Sequence, residues 1–208
     1  MSSVLSAADV IREHLKRSAE TKLRTADACA ADIERAAILI ADAFKAGGKL
    51  LICGNGGSAA DSQHMAAELV SRLTLEFERP GLPAIALTTD SSIMTAYAND
   101  FDFQGIFARQ VQALGKAGDV LLAISTSGSS RNVVKAVEEA TRGHLSVITL
   151  TGTGGDLPAM GDVSIRVPAA ATALIQETHV AIEHVICHLV ERMVDVSAQA
   201  SAVIKNER

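Results

Sequence analysis

The stretch Lys49-Leu50-Leu51-Ile52-Cys53-Gly54-Asn55-Gly56-Gly57-Ser58 decides the fold. A short apolar run bounded by glycines reads as a buried strand, and the glycines and serine behind it read as a tight turn into a helix. The same grammar returns at Asp119-Val120-Leu121-Leu122-Ala123-Ile124, which runs into Ser125-Thr126-Ser127-Gly128-Ser129-Ser130. Pro83–Leu87, Leu145–Leu150 and Val163–Val167 supply three more apolar runs. The patterns between them predict helices over 57–74, 91–98, 104–114, 130–141 and 173–195. Strands alternating with helices require right-handed crossovers, hence an α/β fold with a five-stranded parallel sheet covered on both faces.

Upstream, Val10, Ile11 and Leu15, then Ile33, Ala36, Ala37 and Ile40, recur at helical spacing, so residues 4–47 read as two helices stopped by Gly47-Gly48. The division expected is a helical extension over 1–47, a core domain over 48–196 and a frayed tail over 197–208. In the last helix Val180, Ala181, Ile182, Val185, Ile186, Leu189, Val190 and Met193 are apolar on more than one face. Such a helix is buried in a core or between subunits, which predicts a homo-oligomer.

Of 208 residues, 48% are hydrophobic and 21% charged, the composition of a globular protein able to bury a full core. Aromatics amount to only 3%, so aliphatic side chains must build that core. A net charge of −5 without a basic run argues against nucleic acid and anionic membranes as partners. Cys29, Cys53 and Cys187 form no CxxC pair and read as reduced buried thiols. No secretory leader or membrane span is expected, and the expected compartment is the cytoplasm.

Both serine- and glycine-rich loops sit where a strand ends and a helix begins. Unpaired N–H groups and the helix dipole make such a start an anion site. Ser125, Ser127 and Ser130 add hydroxyl donors, and Gly128 lets backbone approach a ligand. An ordinary N-cap needs fewer hydroxyls than this loop carries. In the first loop Gly56 and Gly57 serve a tight turn and Ser58 is a possible cap. That loop lies where open α/β sheets bind ligands.

His64 and Glu68 are spaced i,i+4 and leave one helix face. They could be a plain surface pair, a zinc-ligating pair, or a carboxylate base with its neighbour. His184 is expected in the most apolar part of the last helix, where burial would keep it neutral and able to bind metal or shuttle protons. Gln176 is eight residues earlier, rotated about 80° and ~12 Å away along the helix. The two meet at one ion only by reaching toward each other or from different subunits. Asp61, Asp90, Asn99 and Asp100 are caps or sugar-hydroxyl acceptors.

Gly54–Ser58 followed by His64, Glu68 and Arg72, the run Arg79–Leu87, Asn99-Asp100, Ser125–Ser130, and Ile175-Gln176-Glu177 with His184 together resemble the sugar isomerase (SIS) domain family. The resemblance spans nearly the whole chain and is strongest to the branch acting on heptose 7-phosphates. It implies a three-layer αβα sandwich of flavodoxin-like type and a homotetramer with sites at subunit interfaces. It also implies interconversion of D-sedoheptulose 7-phosphate and D-glycero-D-manno-heptose 7-phosphate, the first step toward the ADP-heptose of lipopolysaccharide. By the same resemblance Glu68 and His184 are the catalytic pair, and His64, Glu68, Gln176 and His184 are Zn²⁺ ligands. Asn55, Gly56, Gly57, Ser58, Glu68, Asn99, Asp100, Ser125, Thr126, Ser127, Ser130 and Gln176 match substrate contacts. Ala173 and Leu174 stand where some members of the family carry an acidic and a basic residue, so one polar contact with the sugar chain is not expected here. The alternative is a non-enzymatic SIS adaptor that binds the bacterial replication initiator. Such adaptors lack the carboxylate and imidazole that Glu68 and His184 provide. Arabinose 5-phosphate isomerases carry an appended regulatory module that this length is not expected to hold.

Overall fold

A computed structural model describes residues 6–75 and 79–206, with side chains described as far as residue 194. Its five strands are β1 (Leu50–Cys53), β2 (Ala84–Ala86), β3 (Val120–Ser125), β4 (Ser146–Thr151) and β5 (Val163–Arg166). They form one sheet in the order β2-β1-β3-β4-β5, and every neighbouring pair is parallel. The helices are α1 (Ala7–Lys45), α2 (Gly57–Val70), α3 (Ser91–Asp100), α4 (Ile106–Leu114), α5 (Arg131–Arg142) and α6 (Thr172–Asn206). This is the expected α/β sandwich with the flavodoxin-like strand order.

Strand side chains alternate between two cores. Leu50, Ile52, Val120, Leu122, Ile124, Ile148 and Leu150 pack against α1, α2 and α6. Leu51, Cys53, Leu121, Ala123 and Val147 pack against α4 and α5. β1 and β3 are therefore buried on both sides, which is why they read as unbroken apolar runs. The three cysteines are free and buried, as expected.

Two expectations are corrected. Residues 7–45 form one helix rather than two. The polar segment that resembles a break contains Ser18, Thr21 and Thr25, all buried. Thr21 Oγ1 donates to Arg17 O and Thr25 Oγ1 to Thr21 O, both at 2.8 Å, so these hydroxyls are satisfied inside the helix and need no turn. At the other end α6 continues to Asn206, past the expected stop near 195. Positions 4 and 5 of the expected first helix and 207–208 of the expected tail lie outside the described residues.

The sheet order places the site. From β1 the chain moves outward to β2, then returns to the other side of β1 to form β3. A crevice opens at the carboxyl ends of strands where the order reverses. Both loops leave those ends side by side, since Cys53 and Ala123 are register partners.

Candidate active site

The serine loop gathers hydroxyls at the start of α5. Ser125, the last residue of β3, is buried, and its Oγ lies 3.0 Å from Ser130 Oγ and 3.4 Å from Ser127 Oγ. Ser130 occupies the N-cap position of α5 without capping it through its hydroxyl. The capping role is thus left open and three hydroxyls converge at a helix start. Gly128 has φ +68°, and a Cβ there would stand 2.1 Å from Gly154 O, so only glycine fits this turn.

The glycine loop is bound to the serine loop. Asn55 Nδ2 donates to Asn132 Oδ1 and Asn132 Nδ2 donates back to Asn55 Oδ1, both at 2.8 Å. Asn132, buried in the first turn of α5, escaped the sequence reading. Its only signal was an amide directly behind a serine-rich loop. Ser58 does not cap α2; the cap position is Gly56, with φ 57° and no side-chain bond.

Across the crevice α6 closes on the glycine loop. A Cβ on Gly57 would stand 1.6 Å from Gln176 Nε2, so this glycine makes room for that side chain. Gln176 Nε2 donates to Asp61 Oδ2 at 3.4 Å. Asp61 is buried, and burial raises its pKa, partly offset by this bond and by His64.

Further along the same two helices, His64 Nε2 and His184 Nε2 are 2.8 Å apart and the rings meet edge to face. Glu68 Oε1 is 3.8 Å from His64 Nε2. Ligand atoms of His64, Glu68 and His184 all lie within 4.8 Å of one another. Two histidines and one carboxylate at such separations match the donor set of a zinc site, whose bonds are about 2.0–2.2 Å long. Three of the four expected ligands converge, while Gln176 is turned to Asp61 and Gly57.

Asn99 and Asp100 stand apart. Asn99 Nδ2 donates to Asp100 Oδ1 at 2.9 Å at the exposed end of α3, and among the described residues no hydrogen bond ties them to the other site members. Asp90 is a plain N-cap, accepting from Ile93 N at 2.9 Å. His184 is not among the buried residues; the buried histidine of α6 is His179. Desolvation lowers the pKa of His179 to about 4. Helical phase decides this, since the apolar residues around both positions look alike in sequence.

Residues 13–152 match the SIS domain family. A phosphoheptose isomerase of Thiobacillus denitrificans is 52% identical over 189 residues, covering 89% of this chain and 95% of the relative. The structure of a phosphoheptose isomerase from Francisella tularensis superposes with a TM-score of 0.86 at 42% identity, covering 90% of this chain and 100% of that one. The Neisseria gonorrhoeae phosphoheptose isomerase gives 0.84 at 41%, with the same coverage. The chain belongs to the SIS domain family. Within that family it groups with the phosphoheptose isomerases, and it is a sugar-phosphate isomerase. The adaptor alternative falls with that assignment.

Proposed function

We infer that the substrate is D-sedoheptulose 7-phosphate and the product D-glycero-D-manno-heptose 7-phosphate, formed through an enediol. The observation that carries the chemistry is the convergence of His64 and Glu68, on the helix that starts from the glycine loop, with His184 of α6. The phosphate is held by Ser125, Thr126, Ser127 and Ser130 at the start of α5. Asn55, Gly56, Gly57, Ser58 and Gln176 line the adjacent wall. Remote binding of the phosphate aligns the reacting end of the sugar.

Glu68 takes the proton from C1, next to the ketone, and returns it to C2. His184 moves the hydroxyl proton from O1 to O2, so that the carbonyl shifts to C1 with no net gain or loss of protons. His64, Glu68 and His184, with Gln176 as a possible fourth ligand, would hold Zn²⁺. When bound there, it supplies a Lewis acid for the sugar oxygens. A lone pair given to an ion is unavailable to a proton, so an oxygen of Glu68 or a nitrogen of His184 that held the ion would not move a proton at the same time. Among the described residues no helix is long and apolar enough to cross a membrane.

Exposed Val10, Ile11, Leu15 and Leu23 on α1 and Val185 on α6 support assembly, here proposed as a homotetramer. Asn99 and Asp100 would then reach sugar at a subunit interface. The activity is placed in the cytoplasm, supplying ADP-heptose synthesis.

Incubation with sedoheptulose 7-phosphate should yield the aldose. Glu68→Gln should lower kcat by about 10²–10⁴-fold while calorimetry still registers binding of the sugar phosphate. Full turnover in that variant refutes the role of Glu68.

A further inference from the structure

The run beginning Arg79-Pro80-Gly81 has no part in the chemistry above, yet Arg79 is almost fully enclosed. Its side chain is 3% exposed and that of its partner Glu191 is 0% exposed. Arg79 Nε and Nη2 donate to Glu191 Oε1 at 2.9 and 2.6 Å. Nη2 also donates to Glu68 O at 3.0 Å, and Nη1 donates to Leu69 O at 2.8 Å and Pro80 O at 3.1 Å. Glu191 Oε1 accepts a further bond from Leu73 N at 3.1 Å. A guanidinium has five N–H donors in a fixed fork, and these contacts employ all of them.

The placement matters more than the number of bonds. Glu68 and Leu69 lie in the last turn of α2, where carbonyls lack helical partners and the dipole favours a cation. Glu191 lies seven residues beyond His184 on α6, about two turns on and close to the same face. One planar group therefore touches the backbone of Glu68 and a side chain of the helix that bears His184. A buried ion pair of this kind is often replaceable by apolar residues without loss of stability. Stability is thus a weak reason for it.

We propose that Arg79 and Glu191 are positioning residues: they lock the end of α2 to α6 and so set the distance and angle between Glu68 and His184. The proposal rests on the reading of those two as the acid–base pair. A displacement of about 1 Å in such a pair can cost 10²-fold in rate.

Arg79→Lys keeps the charge but loses the fork. The double variant Arg79→Met/Glu191→Leu removes both charges and leaves neither unpaired. Expected in both is a kcat reduced roughly 10–100-fold, a KM within about threefold of the parent because the serine loop is untouched, and a cooperative thermal transition. An unchanged kcat in the folded variants overturns the proposal. So does loss of the folded state in both, which would confine the pair to stability. Glu68→Gln is assayed beside them. If it retains full turnover, the acid–base reading fails and the clamp with it. An inactive Glu68→Gln beside a fully active Arg79→Lys overturns the clamp alone.

Discussion

The two faces of the sheet differ in what they bury. Against α4 and α5 the core is mostly aliphatic with one phenylalanine, and among the described residues no buried side-chain polar atom there lacks a hydrogen-bond partner. Gln110, for example, donates to Leu87 O and Ile106 O at 2.9 and 3.0 Å. Against α2 and α6 the interior holds His179, Glu183 and Glu191, and each has a buried side-chain atom without a hydrogen-bond partner. Unpaired buried polar groups cost stability. The dry face builds the scaffold, and the costly face is the one that carries His64, Glu68 and His184.

The contrast can be broken most forcefully on the dry face. Leu121→Ala should cost about 2–5 kcal/mol, seen as a lower Tm, while kcat of the folded fraction stays within about twofold. A tenfold fall in kcat would show that the faces are not separable in this way.

The next test uses pH. Burial holds His179 neutral down to about 4 against an ordinary value of 6.5. The unfolded chain takes up the proton first as pH falls, so this stabilisation is whole above 6.5 and lost progressively toward 4. The amount is roughly 3 kcal/mol. The urea midpoint of wild type should fall relative to that of His179→Leu between pH 7 and 4.5; parallel profiles would remove His179 as the cause.

Glu183 works in the opposite direction. Burial, reinforced by the charge of Asp61, raises its pKa well above 4.5. The unfolded chain releases this proton first as pH rises, so the favourable contribution present below 4.5 is lost at higher pH. Glu183→Leu should be more stable than wild type at pH 8, read as a higher Tm, with the gain shrinking toward pH 5. A variant equally or less stable at pH 8 would mean that Glu183 is paired there.

The strands of this fold were legible because burial on both faces leaves a continuous apolar signature, and the loops because glycine and serine mark the turns. The single helix of α1 was not, since Thr21 and Thr25 satisfy their hydroxyls locally and imitate a linker in sequence. The pairing of His64 with Glu68 could be read from i,i+4 spacing alone. Helix composition singled out His184 on a burial that it does not have, and the family resemblance pointed to it on separate grounds.

Sequence by itself determined the alternation of strand and helix, the two glycine- and serine-rich turns and one face of α2, because these depend on neighbours a few residues apart. Tertiary structure alone decided that His184 meets His64 across 120 residues of chain, that Asn132 ties the loops together and that Arg79 finds Glu191. Those contacts depend on how α6 is rotated and seated against α2, which is set by packing over the whole interface and by no local pattern.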